Sequence, residues 1–179
     1  MMKKALLYLT VLIFAVGCGV APPDIDIWKA AGDGNIAAIQ QHIKAGTDIN
    51  AQEQFVGSTP LMVAALYGQT DSAEVLILNG ASIDLRNNNG STALHIAALF
   101  CHPKVVKLLL ENGAEPNPKD NSGTTPLDAV GTEWSQELED VYAMVGGILQ
   151  MEIDLDRIKR TRDSVADILK EHGAKFGNE

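Results

Sequence analysis

Three glycines, Gly57, Gly90 and Gly123, stand 33 residues apart, and each opens a related string. Ser58-Thr59-Pro60-Leu61, Ser91-Thr92-Ala93-Leu94 and Thr124-Thr125-Pro126-Leu127 follow them in turn. Ala64-Ala65 returns as Ala97-Ala98, and Asn79-Gly80-Ala81 as Asn112-Gly113-Ala114. An earlier unit matches at an offset of 34, through Ala30-Ala31, Gly34, Ile39, Ile43, Gly46 and Asn50. A fixed period of this length means stacked supersecondary units, because no single unit of that size can bury its apolar face alone.

Each unit has a local physical reading. Thr59-Pro60 sets a capping hydroxyl before a proline at the first helical position. Leu61, Ala64 and Ala65 share one helix face, and alanines let a neighbouring helix approach closely. Gly68 ends that helix, Ala73, Leu76 and Ile77 mark a second, and Asn79-Gly80 ends it. The polar string Asp84 to Gly90 is then a turn leading into the next unit. Composition agrees: 46% apolar and 21% charged residues suit a folded chain, and only 5% aromatics suit thin, closely stacked helices.

These strings resemble the ankyrin repeat. Thr92-Ala93-Leu94-His95-Ile96-Ala97 matches its Thr-Pro-Leu-His-x-Ala signature except at Ala93, and Lys107 to Ala114 matches its outer-helix ending. The resemblance implies an all-α solenoid of helix-turn-helix units: repeat 1 over 26–57, repeat 2 over 58–90, repeat 3 over 91–123 and repeat 4 over 124–179. Repeat 4 departs from the period. Gly113 to Gly173 is 60 residues, so 27 are inserted, at about residues 131–157. Leu138, Val141, Tyr142, Val145 and Leu149 within them fall at helical spacing. Leu155 to Lys159 reads as a second short turn. The insert is expected to be helical and to cap the array.

The first residues read as an address. Lys3-Lys4, an apolar run from Ala5 to Val16 and then Ala15-Val16-Gly17-Cys18 follow the order of a secretory signal. The run is too short to span a bilayer comfortably. The ending resembles a bacterial lipobox, although Leu is more usual where Ala15 stands. That resemblance implies a signal peptide over 1–17, lipidation of Cys18, a tether over 18–25, and export. With Gly19 after the cysteine it implies a lipid anchor in the outer membrane, facing the periplasm of a Gram-negative cell. Loss of Lys3 and Lys4 would leave 12 bases against 23 acids, a net charge of −11.

Chemical motifs are few. Gly32-Asp33-Gly34-Asn35-Ile36-Ala37 mimics a nucleotide loop, but a helix precedes it where a strand is required. His42, His95, His102 and His172 show no metal-ligand spacing, so neither metal nor cofactor is expected. The ankyrin resemblance gives His95 a structural place. Cys101 and His102 offer a conceivable nucleophile and base, although the family usually has Gly at the place of Cys101. Arg157, Lys159, Arg160 and Arg162 read as a solvated helix flank or a contact for anionic headgroups. A net charge of −9 leaves no basic surplus for nucleic acid.

What remains is a surface. By register, the concave face of the resembled family comprises Phe55, Val56, Ser58, Leu66 and Tyr67, then Asn88, Asn89, Ser91, Leu99 and Phe100, then Asn121, Ser122 and Thr124. Leu66-Tyr67 and Leu99-Phe100 are expected to be at least partly exposed, unless the insert folds back over them. The expected function is a non-enzymatic, monomeric protein-interaction module, anchored in the envelope. It would bind one protein partner, as inhibitor or immunity protein of a toxin or hydrolase. The alternatives are a scaffold or assembly factor for an envelope enzyme, and lastly an enzyme using Cys101 and His102.

Overall fold

The computed structural model describes residues 21–178. The expected signal peptide, Cys18 and the first part of the tether lie outside them. The described residues form nine helices and no strand. Four are inner helices: α1 (Ile27–Gly32), α3 (Pro60–Tyr67), α5 (Ala93–Leu99) and α7 (Asp128–Gly131). Four are outer helices: α2 (Ile36–Lys44), α4 (Thr70–Leu78), α6 (Pro103–Glu111) and α9 (Leu155–Glu171). Inner helices pack on inner helices and outer on outer, making two rows. The remaining helix, α8 (Gln136–Leu149), belongs to the insert.

The paired alanines are why the inner row is tight. Ala30, Ala31, Ala64, Ala65, Ala97 and Ala98 are all fully buried. Outer helices fill the second layer with Ile39, Leu76, Val105, Leu109, Val165 and Leu169. Thr59 Oγ1 accepts the Met62 N–H at the start of α3, with Pro60 at the first turn. Gly68 ends that helix at φ 68°, a left-handed conformation that a side chain resists. A Cβ there would also collide with the His102 imidazole of the next repeat.

Hydrogen bonds between repeats recur with the period. Gln52 donates to the Arg86 carbonyl, Arg86 to that of Lys119, and Lys119 to that of Gly177. Asn50 accepts the Ser82 N–H, Asp84 the Glu115 N–H, and Asn117 the Lys175 N–H. Each connection crosses one interface, so the array is held one step at a time. The signature position behaves likewise. His95 Nδ1 accepts the Thr92 N–H, and Nε2 donates 3.0 Å to the Thr124 carbonyl of the next repeat. Trp28 fills that place in repeat 1 and donates to the Ser58 carbonyl at 2.9 Å. Met62 fills it in repeat 2 and has no such donor. In repeat 4 it is Asp128, which accepts the Thr125 and Gly177 N–H groups.

The insert departs from expectation in one respect. Leu155 to Lys159 is not a separate turn but the opening of α9, which runs for 17 residues against nine in each other outer helix. Asp154 caps its start by accepting the Arg157 N–H. No Gly or Pro interrupts Leu155 to Glu171, and Ile158, Val165 and Leu169 are buried along it. Inner helix α7 is correspondingly short, because the chain leaves the array at Gly131 to begin the insert.

Helix α8 is anchored through Tyr142, whose ring is buried and stacks on Trp134 at 5.9 Å. The Tyr142 hydroxyl donates to the Leu99 carbonyl at 2.6 Å. Arg157 donates to the carbonyls of Cys101 and Phe100, and Thr161 adds a second bond to Cys101. The open carbonyls at the end of α5 are thus capped by side chains from the insert and α9. This corrects the reading of the basic run as a solvated flank. Arg157 serves as a cap, Lys159 pairs with Glu139 at 2.6 Å, and only Arg160 is left in solvent. Arg162 is buried, bonds Thr132, and lies 5.9 Å from the Trp134 ring. Its Nε and Nη1 have no hydrogen-bond partner among the described residues.

Candidate functional site

The finger turns are rigid by construction. Asn87 and Asp120 each accept two backbone N–H groups inside their own turn. Glu53 accepts three, from Phe55, Val56 and Ser58, at 2.6–3.0 Å. Burial works against the Glu53 charge, but these N–H groups outweigh it and hold the carboxyl below its ordinary range. Glu53 precedes Gly57 by four residues, whereas Asn87 and Asp120 precede their glycines by three. The first finger is therefore one residue longer. Phe55 stands in that finger 91% exposed, and Val56 beside it is 40% exposed.

Neighbouring fingers are tied together. Asn88 donates from its backbone to the Val56 carbonyl and from its side chain to the Phe55 carbonyl. Asn121 repeats this on Asn89 and Asn88. The finger asparagines therefore spend part of their hydrogen-bonding capacity inside the array, while their outer edges face solvent along with Asn89 and Ser122. Ser58, Ser91 and Thr124 are half-buried.

The other predicted residues lie at the far end of the inner helices, about 12 Å away for an eight-residue helix. Tyr67 is 44% exposed there and Leu66 is half-buried. Phe100 is buried at 4% exposure, which overturns the expectation that it is available to a partner. The cause is the insert: the loop Met151–Asp154 and Arg157 close over it, leaving a cavity of about 210 Å³ shared with Leu66 and Tyr67. Leu99 is half-buried, with its carbonyl taken by Tyr142. A second cavity of about 260 Å³ brings Ser91, Leu99 and Thr124 together around Ile96. The thirteen predicted residues thus form a finger edge, a central hollow and a partly roofed end.

Cys101 and His102 do not form a nucleophile and base. Cys101 is fully buried, and burial pushes its thiol up to about 11. Burial and then the Arg157 charge bring His102 down to about 4. His102 Nε2 donates 3.0 Å to the Leu66 carbonyl, and Nδ1 lies 3.4 Å from the Arg157 guanidinium. The same bond occurs one repeat earlier, where Gln69 donates to the Gly32 carbonyl at 3.0 Å. One repeat later, Tyr142 donates to Leu99. His102 is therefore a rung in a structural ladder. Cys101 takes the left-handed place of Gly34 and Gly68 at φ 51°, a conformation costly for a side chain. Among the described residues no cluster of His, Cys, Asp or Glu could hold a metal ion, and no helix is long and apolar enough to cross a membrane.

Residues 27–120 match the family Ankyrin repeats (3 copies). An ankyrin repeat-containing protein of Schizosaccharomyces pombe is 34% identical over 65 residues, 36% of this chain and 31% of that protein. Ankyrin repeat domain-containing protein 37 of Bos taurus is 36% identical over 74 residues, 39% of this chain and 46% of that protein. The 2-5A-dependent ribonuclease of Mus musculus is 35% identical over 71 residues, 40% of this chain but 10% of the enzyme. The chain spans less than half the length of each of these relatives. The match over more than half of the chain, on the two-row helical stack and its repeating interfaces, means that this protein belongs to the ankyrin-repeat family.

Proposed function

We propose that the protein is a binding module without catalytic activity of its own, which holds one protein partner along the finger edge and the hollow beside it. Phe55 carries this reading. An aromatic ring left in water on a turn fixed by three hydrogen bonds has no role in the fold, and it costs little entropy to dock. Val56 extends the apolar area beside it, and Tyr67 is a second exposed ring at the far end of the inner helices. The partner would accept Phe55 in a pocket of its own. We place the module at a bacterial envelope, held by lipid on Cys18, on the strength of Lys3-Lys4, the Ala5–Val16 run and Ala15-Val16-Gly17-Cys18. An inhibitor or immunity role toward a toxin or hydrolase fits an acidic chain meeting a basic partner. A scaffold for an envelope enzyme is the second reading, and the rigidity of the fingers suits both.

Two measurements test this. Affinity capture from the cell's own envelope extract, with mass spectrometry, should recover one protein with wild type. Phe55→Ser should lose most of it, since a docked aromatic contributes ~2 kcal/mol, about 30-fold in affinity. Recovery unchanged by Phe55→Ser would refute the finger-edge reading. Metabolic labelling with an alkyne fatty acid should mark wild type and not Cys18→Ser. An unlabelled wild type would refute the anchor.

A further inference from the structure

A second surface lies on the insert, away from the fingers. Val141, Met144 and Ile148 occupy one flank of α8 at spacings of three and four residues, and they are 43%, 59% and 71% exposed. Tyr142 and Gly146, on the flank facing the array, are buried. A stripe of about two turns on a capped helix is an unpartnered apolar face. The segment that carries it has one sign of charge, the nearest bases being those at the start of α9, where Lys159 pairs with Glu139. Residues 131–156 contain seven acids and no Lys or Arg. Of the seven, only Glu139 forms an ion pair among the described residues, with Lys159. Glu137, Asp140 and Glu152 stand exposed around the stripe's helix and the loop that follows it.

We propose that this flank of α8 is a docking surface for a basic amphipathic helix of a protein partner. Side chains at i, i+3 and i+7 make the seam that one helix presents to another, and the acids beside it match Lys or Arg flanking such a face. The charge excludes the simpler occupants. A second copy of this chain would bring the same acids against these, and like charges in such a contact cost several kcal/mol. An anionic bilayer surface would be repelled for the same reason. This surface is distinct from the finger edge, so the variants that test one leave the other intact.

The test uses the purified protein and a labelled 14-residue probe, Leu-Lys-Lys-Leu-Leu-Lys-Leu repeated twice, read by fluorescence anisotropy. Controls are a scrambled peptide of the same composition and a Glu-for-Lys peptide. Wild type should bind the probe and neither control, and affinity should fall between about 20 mM and about 300 mM salt. Met144→Gln with Ile148→Gln should weaken binding roughly tenfold or more. Glu137→Gln with Asp140→Asn should weaken it about threefold and flatten the salt dependence. Phe55→Ser should bind the probe as wild type does. Both α8 pairs alter exposed side chains, so their melting curves should match wild type. Equal binding of the scrambled peptide, or unchanged binding by the Met144/Ile148 pair, overturns the proposal. So does sedimentation as a dimer that the same pair abolishes, which assigns the stripe to a second copy. Pelleting with phosphatidylglycerol vesicles that the pair abolishes assigns it to a membrane and overturns the proposal equally.

Discussion

Replacing Arg157 by Met removes a guanidinium that donates to two carbonyls at the end of α5, at 2.9 and 3.1 Å. Methionine keeps most of the aliphatic volume, so the loss is mainly electrostatic. A hydrogen bond from a charged donor is worth about 1.5–3 kcal/mol when its acceptor is left unsatisfied. The Cys101 carbonyl keeps Thr161 at 3.1 Å, while the Phe100 carbonyl is left without its side-chain donor. We expect a net loss of roughly 2–3 kcal/mol. For a chain of this size that is a fall of about 4–12 °C in melting midpoint. Urea unfolding followed by far-ultraviolet circular dichroism measures it, with the slope checked for constancy. Arg160→Met, three residues along α9 and in solvent, is the control and should stay within about 0.5 kcal/mol. Equal and small effects from both substitutions would refute the capping role and return Arg157 to a solvated flank. A second signature is available in the same variant. The Arg157 charge helps to hold His102 down, so the imidazole should titrate closer to its ordinary value once that charge is gone.

His102 also sets a pH window. Its folded pKa of about 4 lies below the ordinary histidine value of 6.5, so the unfolded chain binds the proton more readily. Stability contributed this way is complete above about pH 6.5 and falls as the pH drops towards 4, by at most ~3 kcal/mol. His102→Gln should flatten that slope while keeping the bond to Leu66, as Gln69 does one repeat earlier; denaturation at pH 7 and pH 4.5 tests this. Met62→His should stabilise the protein by about 1 kcal/mol, because it restores a donor towards the Ser91 carbonyl, and thermal unfolding would show a lower midpoint if the reasoning fails. Phe100→Ala should cost about 3–5 kcal/mol as a buried aromatic, whereas Tyr67→Ala should cost little, and nearly equal melting curves for the two would contradict the roofed end. Truncation after Gly131 removes α8, α9 and Tyr142 together, and should leave an aggregating or non-cooperative chain in sedimentation and melting experiments.

The period was legible because its markers are chemically forced. Gly57, Gly90 and Gly123 all adopt positive φ, and a Cβ on Gly90 would meet Asn121 Oδ1 at 2.5 Å. Paired alanines, likewise, are required where inner helices touch. The ladder through Gln52, Arg86 and Lys119 was not legible, because three different residue types share only the ability to donate a hydrogen bond. Phe100 was misjudged for a different reason. Its register matches Tyr67, and what distinguishes the two is a loop some 50 residues later in sequence. Arg157 and Arg162 were misjudged because exposed is the usual state of arginine, and their acceptors are backbone carbonyls that no side-chain pattern reveals. The start of α9 did carry a signal, since Asp154 stands where a helix cap should be. The long first finger is also written in the spacing of Glu53 and Gly57, one residue more than from Asn87 to Gly90 or from Asp120 to Gly123.

The ladder that runs from Gln69 through His102 to Tyr142 has a consequence for how such a chain can change length. Gln69 and His102 each come from the repeat that follows the carbonyl they satisfy, so a duplicated copy of the second unit could be spliced in and find both its donor and its acceptor waiting. Tyr142 comes from outside the period, from within the 27-residue insert, and reaches the Leu99 carbonyl from there. The array is therefore free to grow by duplication towards its N-terminal end and closed to it after Leu99. Lineages that carry this insert should differ in the number of units before it and hold constant everything from Leu99 onward.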